Sequence, residues 1–258
     1  METRQENYTI MEGYELPSHG LIYDEKISPV MELRCMTGRD ELKRLAHSTS
    51  SMKVLADLVE SCLIEKPKIH VYDMALGDYE YLLQRLRVVT YGSDFKMSLK
   101  CPHCGEAIEV IADLDQLTPK MFDEAEQTLF KECQIFRLPD SGQVVKIKFQ
   151  TPRIVDTIAS KTKELKRKYK NAEIDFHLQV LLTEIIEEVD GAPLNPQKSD
   201  VFIDNLTMKD MMKILNNLDK LNSLIGVDTE LLFDCPECSE EIAATFWYGP
   251  EFLRPTTI

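Results

Sequence analysis

Apolar residues recur at intervals of three and four along most of the chain, a spacing that predicts amphipathic helices. Two helix starts have the spacing of a capping box, Thr37 with Asp40 and Thr207 with Asp210. The pattern predicts seven helices. Four of them cover residues 50–63, 73–91, 118–132 and 174–189. The other three start after Thr37, at Thr151 and at Thr207.

Several predicted helices have a distinct apolar stripe. In the first helix the stripe contains Leu42, Leu45 and Ala46, which share one face. On residues 50–63 the inner stripe consists of Leu55, Leu58, Val59 and Cys62. Met208, Met211 and Met212 follow the same spacing after Thr207. Such a methionine stripe suits an adaptable partner surface, but a helical stripe of this kind is more often core, so we assign it to the core.

The spacing changes from helical to alternating at Phe95, where apolar and polar residues take turns up to Lys100. A Cys-Pro-His-Cys segment and a second strand-like run over residues 107–111 follow, which predicts a hairpin with cysteines at its tip. The same order returns in residues 231–234, a Cys-Pro-Glu-Cys segment and residues 242–248. Residues 133–138 and 144–149 predict a further hairpin, and residues 190–200 predict a loop. These elements together predict a helix-rich α+β fold.

The two Cys-Pro-x-Cys segments supply four soft ligands, Cys101, Cys104, Cys235 and Cys238, with the bite of a tetrahedral zinc site. We interpret them as the two halves of a split zinc ribbon that holds one structural Zn²⁺. The pairs are 131 positions apart, so the residues between them form a helical insertion. Closing so long a loop costs little additional entropy, because the cost grows only logarithmically with length. Thiol redox chemistry and unligated thiols are the alternatives.

The zinc hypothesis sets the expected domain organisation. We expect a single body with a lead-in and helical region at residues 1–92 and the first cysteine hairpin with the second β-hairpin at residues 93–150. The helical insertion then covers residues 151–228, and the second cysteine hairpin covers residues 229–258. Zinc binding contributes about 10–16 kcal/mol in small peptides, enough to hold the first and last thirds of the chain together.

Charge and composition narrow the functional classes. The 258 residues include 30 Lys and Arg against 44 Asp and Glu, a net charge of −14, which argues against a general nucleic-acid-binding protein. Residues 1–7 lack the apolar core of a signal peptide, and no later stretch approaches the roughly 18 apolar residues of a membrane span. We therefore expect a globular protein made and kept in a cytoplasm.

Other candidate residues favour structural interpretations. We expect His103 to be exposed rather than a ligand, and Cys35, Cys62 and Cys133 to be buried hydrophobic residues. The basic segment 161–170 could bind nucleic acid or an acidic protein, but we favour the solvated side of an amphipathic helix. No phosphate-binding glycine loop, zinc-protease motif or nucleophile beside a base is present, and four sulfur ligands leave no open position on zinc. The sequence thus indicates no enzyme and no small-molecule substrate.

Three segments carry a family resemblance. They are residues 15–23 (Glu-Leu-Pro-Ser-His-Gly-Leu-Ile-Tyr), residues 36–41 (Met-Thr-Gly-Arg-Asp-Glu), and Arg87 to Gly92 followed by the first Cys-Pro-His-Cys-Gly. Together they resemble the baseplate proteins of T4-type contractile-tailed bacteriophages, mostly over the first 140 residues. Beyond that point only the order of hairpins and helices matches.

This resemblance implies a structural or assembly role as a baseplate hub component or hub assembly factor. It implies contacts with other baseplate and hub proteins in the host cytoplasm during assembly, and it leaves retention in the virion tail open. The zinc ribbon rests on the cysteines of this sequence and not on the resemblance. A nucleic-acid-binding zinc-ribbon regulator that uses Lys161 to Lys170 is the alternative function.

Overall fold

The structure, a computed structural model, describes residues 11–46, 52–170, 174–245, 248 and 252–253. The helices are α1 (Gly38–Ala46), α2 (Met52–Cys62), α3 (Leu76–Tyr91), α4 (Glu126–Gln134), α5 (Pro152–Lys168), α6 (Phe176–Ile185), α7 (Pro196–Asp204) and α8 (Met208–Asn222). The strands are β1 (Met11–Glu15), β2 (Val30–Arg34), β3 (Asp94–Lys100), β4 (Ala107–Asp113), β5 (Pro119–Lys120), β6 (Ile135–Arg137), β7 (Val144–Ile147), β8 (Ile186–Val189), β9 (Ala192–Pro193), β10 (Gly226–Val227), β11 (Glu230–Asp234) and β12 (Glu241–Thr245). This mixture of helices and sheets agrees with the predicted α+β class.

The first hydrophobic core lies among the β1–β2 hairpin, α2 and α3. The apolar stripe predicted for α2 is confirmed, since all four of its residues are buried: Leu55, Leu58, Val59 and Cys62. The helix begins at Met52 in the structure, and residue 50, where we predicted its start, lies outside the described residues. Helix α3 ends at Gly92, whose φ of 88° few other residues adopt, as the glycine at that position predicts.

Helix α1 has an apolar face that is exposed. Thr37 and Asp40 form the predicted N-terminal contacts, because the Thr37 amide and hydroxyl both donate to the Asp40 carboxylate. However, Leu42 and Leu45 are 70% and 60% exposed, and among the side chains of α1 that the structure describes, which exclude Ala46, the buried ones are Asp40 and Arg44. The reason is a buried ion pair in which Arg34 donates to Asp40 over 2.7 Å. That pair fixes which side of α1 faces the body.

The second hydrophobic core surrounds an antiparallel sheet with the strand order β6-β7-β8-β9, packed by α4 to α8. Here two predictions are wrong. Residues 186–189, predicted as the end of a helix, form strand β8, because Lys146 of β7 pairs with Glu188 in the sheet. Residues 190–200, predicted as a loop, contain strand β9 and the start of α7 at Pro196.

The predicted helix over residues 118–132 begins later than expected. Pro119 belongs to strand β5, which pairs with β10 through Val227. Helix α4 begins only at Glu126, after a turn in which the Asp123 carboxylate accepts hydrogen bonds from the amides of Ala125 and Glu126. A distant strand partner therefore overrides the local Thr-Pro start signal.

The assignment of the methionine stripe of α8 to the core is also wrong in part. Met208 is 69% exposed and Met212 is 48% exposed, while Met211 is half-buried. The core face of α8 is instead formed by Ile214, Leu218 and Leu221. The predicted cap is confirmed, because the Asp210 amide donates to the Thr207 hydroxyl over 3.2 Å.

A buried carboxylate joins the lead-in segment to α3. Asp78 is fully buried, and its carboxylate accepts hydrogen bonds from the Ser18 amide, the Ser18 hydroxyl and the Tyr23 hydroxyl. Burial raises the pKa of Asp78, although these donors oppose that effect. The segment around Ser18 is thus fixed to the first turn of α3. Of the helices in the described ranges, none combines the length and apolar character needed to cross a bilayer.

Candidate metal centre

The first cysteine pair lies at the turn of the hairpin formed by β3 and β4, which we call the first cysteine hairpin. The pairing runs from Asp94 opposite Asp113 to Lys100 opposite Ala107. At the turn the Cys101 amide donates to the Glu106 carbonyl, and the Gly105 amide donates to the Cys101 carbonyl, both over 2.9 Å. These two bonds fold residues 101–106 into a compact loop.

The second cysteine pair lies at an equivalent turn in the hairpin formed by β11 and β12, the second cysteine hairpin. The Cys235 amide donates to the Glu240 carbonyl over 2.9 Å, and the Ser239 amide donates to the Cys235 carbonyl over 2.8 Å. Ser239 has a φ of 60°, in the left-handed region that Gly105 occupies with a φ of 80°. The two turns therefore have the same hydrogen-bond pattern and the same backbone reversal.

The four sulfur atoms of these turns come together across the two hairpins. All four Sγ atoms lie within 4.8 Å of one another. Cys101 Sγ is 3.8 Å from Cys238 Sγ, and Cys104 Sγ is 3.8 Å from Cys235 Sγ. A tetrahedral Zn²⁺ with Zn–S bonds near 2.3 Å requires sulfurs about 3.8 Å apart, which is the distance of these two contacts, so the four thiols could hold a metal ion such as zinc.

Backbone amides face the sulfur of Cys101. The amides of His103 and Cys104 donate to Cys101 Sγ over 3.4 and 3.5 Å. The Cys104 amide is the main cause, and with the His103 amide it lowers the pKa of the Cys101 thiol to about 6. Donors of this kind stabilise thiolates, the form that ligates metals.

The surroundings of the sulfurs are asymmetric in exposure. Cys101 and Cys235 are buried, Cys104 is exposed and Cys238 is half-buried. The buried pair contacts Ile108 and Ile242, one from each hairpin. The first cysteine of each pair thus faces the interior between the hairpins, and the second faces outward.

The remaining candidate residues lie elsewhere in the fold. His103 is exposed, as predicted, and contributes its backbone amide rather than its ring to the site. Cys62 belongs to the first core and Cys133 to the second, both buried as predicted. Cys35 is only half-buried, so the prediction of burial is wrong for this residue, which lies in the segment between β2 and α1.

Arg87, which belongs to one of the segments with the family resemblance but was assigned no role from its sequence position, secures the base of the first cysteine hairpin. Arg87 is fully buried in α3 and donates to the carbonyl oxygens of Asp94, at the start of β3, and Phe252. Its guanidinium lies over the rings of Phe95 and Phe252, 4.8 and 5.6 Å from their centroids. A lone arginine in an amphipathic helix carries no signal that distinguishes such a position from an exposed one.

The basic segment lies on the outer side of α5. Its lysines and arginine are exposed, as predicted for a solvated helical face: Lys161, Lys163, Lys166, Arg167, Lys168 and Lys170. Lys161 pairs with Glu184 of α6 over 2.6 Å. The segment belongs to the second core region and contributes no residue to the four-cysteine cluster.

The chain was compared with known proteins and families. A family model described as "T4 bacteriophage base plate protein" matches residues 13–247. That range covers most of the chain and contains both cysteine pairs. No curated protein and no solved structure matches the chain.

Proposed function

The chain belongs to the T4 bacteriophage base plate protein family, and from this membership we propose that it acts as a baseplate hub component or hub assembly factor. A structural role in the phage tail baseplate follows from the family, as do contacts with other baseplate proteins. The observation that carries this conclusion is the match over residues 13–247. The hub assignment rests in addition on the resemblance of residues 15–23, 36–41, 87–92 and 101–105 to T4-type baseplate proteins, which implies a role at the hub.

We further propose that Cys101, Cys104, Cys235 and Cys238 hold one structural Zn²⁺ and that the two hairpins form a split zinc ribbon. The proposal is supported by four convergent sulfurs, two of whose contacts have the 3.8 Å spacing of a zinc tetrahedron. When bound, the metal would cross-link the two hairpins. Four sulfur ligands leave no position for a substrate, so the site supports a structural and non-enzymatic protein.

The hub role can be tested in infected cells. A tagged copy should copurify with hub proteins, and deletion of its gene should abolish assembled baseplates. Recovery of the protein only as a free species, together with normal tails after deletion, contradicts the role. We expect the protein in the host cytoplasm during assembly, and a mass-spectrometric inventory of purified virions distinguishes a retained component from an assembly factor.

The alternative function, a nucleic-acid-binding zinc-ribbon regulator, is less well supported by charge. The exposed basic residues lie on α5, whereas the second cysteine hairpin is acidic around its turn, with Asp234, Glu237, Glu240 and Glu241. Phosphates would be repelled from that turn. Salt-dependent binding of DNA or RNA that is lost on neutralising Lys163, Lys166 and Lys168 would favour this alternative.

A further inference from the structure

Helix α8 has a second apolar stripe that faces away from the core. One side of the helix packs into the second core through Ile214, Leu218 and Leu221. The opposite side presents Met208 and Met212, which are exposed, and it is bordered by Leu215, which is half-buried and packs in part against the second core. A surface helix that serves only its own core needs one apolar stripe, so the second stripe points to a partner.

The stripe is continued by a second apolar surface where α7 approaches α8. Val201 of α7 is 64% exposed, and with Phe202 and Leu206 it lines a groove beside Asp210. Methionine side chains are flexible and polarizable, which lets such a surface adapt to the shape of a partner.

Charges at the two ends of the stripe indicate what the partner is. Residues 208, 212, 215 and 219 lie on one line along the helix, so the stripe ends in the exposed Asp219. Lys209, with 78% of its side chain exposed and its Nζ 3.5 Å from Asp140, flanks the other end. A basic group at one end and an acidic group at the other make the stripe complementary to an antiparallel copy of itself.

We propose that α8 of one chain packs antiparallel against α8 of a second copy of this chain. In this arrangement Met212 lies opposite Leu215 of the second copy, and Asp219 approaches Lys209 of the second copy. Asp219 also approaches the positive N-terminal end of the opposite helix, whereas in its own helix it lies near the negative C-terminal end. The two-fold symmetry forms each contact twice.

Sedimentation velocity of the purified full-length protein tests the proposal over roughly 1–200 µM, the range of a weak interface. We expect a monomer–dimer equilibrium that Met212→Glu abolishes. Leu42→Glu is the control, because it introduces the same charge at an exposed apolar residue of α1 and should leave the dimer intact. Circular dichroism and thermal unfolding check that each variant is folded.

A charge exchange tests the orientation. Lys209→Glu and Asp219→Lys should each weaken the dimer roughly five- to tenfold, because each removes two symmetric attractions, and the double variant should restore it. A protein that stays monomeric at all concentrations overturns the proposal, and so does a dimer that survives Met212→Glu or lacks the charge rescue. The experiment uses no phage component, so either result leaves the baseplate role to its own test.

Discussion

The two hydrophobic cores and the four-cysteine region differ in how much apolar surface they bury. Each core contains a continuous set of fully buried aliphatic and aromatic side chains, such as Leu82 and Tyr79 in the first and Leu182 and Ile185 in the second. Among the described residues, the cluster around the cysteines buries only two aliphatic side chains, Ile108 and Ile242.

This difference indicates that the two kinds of region depend on different interactions. Burying an isoleucine side chain contributes about 1.5–3 kcal/mol. Ordering the backbone costs about 1–2 kcal/mol for each residue, so two buried isoleucines do not offset the cost of ordering two hairpins. The cores can fold by apolar burial, whereas the cysteine region buries too little apolar surface for this, and the proposed metal would supply the missing cross-link.

Loss of the metal should have the largest effect and should be confined to the cysteine region. We expect one zinc per chain by elemental analysis, and we expect Cys101→Ser and Cys235→Ser to lose zinc and thermal stability to a similar extent. The scale is set by the roughly 10–16 kcal/mol that structural zinc contributes in small peptides. Hydrogen exchange should show faster exchange in both cysteine hairpins and little change in α5 and α8.

Cys35→Ser is the control for this prediction, because Cys35 lies outside the cluster and its substitution should leave zinc bound. Two zinc ions per chain, or a loss of zinc in only one of the two ligand variants, would show that the pairs do not share a site. Global unfolding on chelation would contradict the separation between the cores and the cysteine region.

Removing a buried charge should have the next largest effect and should spare the metal. Arg34→Ala leaves the buried Asp40 carboxylate without its strongest donor and is expected to cost about 3–5 kcal/mol in urea unfolding. Lys53→Ala breaks an exposed ion pair with Asp57 and should cost less than about 1 kcal/mol. Equal effects of the two substitutions would mean that the buried pair does not fix α1, and zinc content should be unchanged in both.

Acidification should affect the cysteine region at a higher pH than the buried ion pair of Asp40. Burial alone would raise the pKa of Asp40, but hydrogen bonds from Arg34 and Thr37 lower it from 3.8 to about 2. Because the folded pKa is depressed, the stability from this group is complete above pH 3.8 and is lost as the pH falls towards 2. Protons compete with zinc for thiolates, so zinc should be released at a higher pH than this. A zinc indicator and near-ultraviolet circular dichroism, recorded over one acid titration, measure zinc release and loss of tertiary structure. Loss of tertiary structure at a higher pH than zinc release would contradict the prediction.

A close backbone contact between α3 and the start of β10 predicts a smaller effect on stability. A Cβ at Gly77 of α3 would lie 2.8 Å from the Ile225 carbonyl oxygen and 2.9 Å from Gly226 Cα. Gly77→Ala should therefore displace β10 from α3 and cost about 1–3 kcal/mol. Gly38→Ala in α1 is the control, since its Cβ meets no atom within 4 Å and alanine favours the helix. A destabilising Gly38→Ala or a neutral Gly77→Ala would contradict this reading.

The smallest effect on stability is expected from substitutions that compare the two cysteine turns directly. Gly105 and Ser239 occupy equivalent positions with φ values of 80° and 60°. Gly105→Ser should destabilise the zinc-bound protein by about 1 kcal/mol, and Ser239→Gly should stabilise it by a similar amount. Opposite shifts in the midpoint of thermal unfolding would support equivalent turns, and shifts in the same direction would show that the turns differ.

Local sequence patterns correctly predicted the elements in which the capping residues and the apolar spacing favour the same structure as the tertiary contacts do. Helix α5 begins at the predicted Thr151, whose hydroxyl accepts a hydrogen bond from the Ile154 amide. The first cysteine hairpin has the predicted alternation, since Phe95, Met97 and Leu99 face the half-buried side of β3. In both cases the capping residue or the alternation acts over a few positions, which a sequence pattern can record.

The failures occur where a distant partner decides the structure. Residues 186–189 have helical spacing, but they form strand β8 because they pair with β7. Pro119 resembles a helix start but pairs with Val227, more than a hundred positions away. Met208 and Met212 have the spacing of a core stripe, but α8 has two stripes and its core face is the other one.

The sequence by itself determined the four thiols of the candidate site, the two matching turns and most of the helices, because each depends on residue types and spacings within a few positions. Only the tertiary structure decided that the sulfurs of residues 101 and 238 lie 3.8 Å apart and that Arg34 turns the leucines of α1 outward. It also decided which stripe of α8 is buried. These outcomes depend on contacts between segments far apart in the chain, and such contacts are selected by the free energy of the whole fold rather than by local preference.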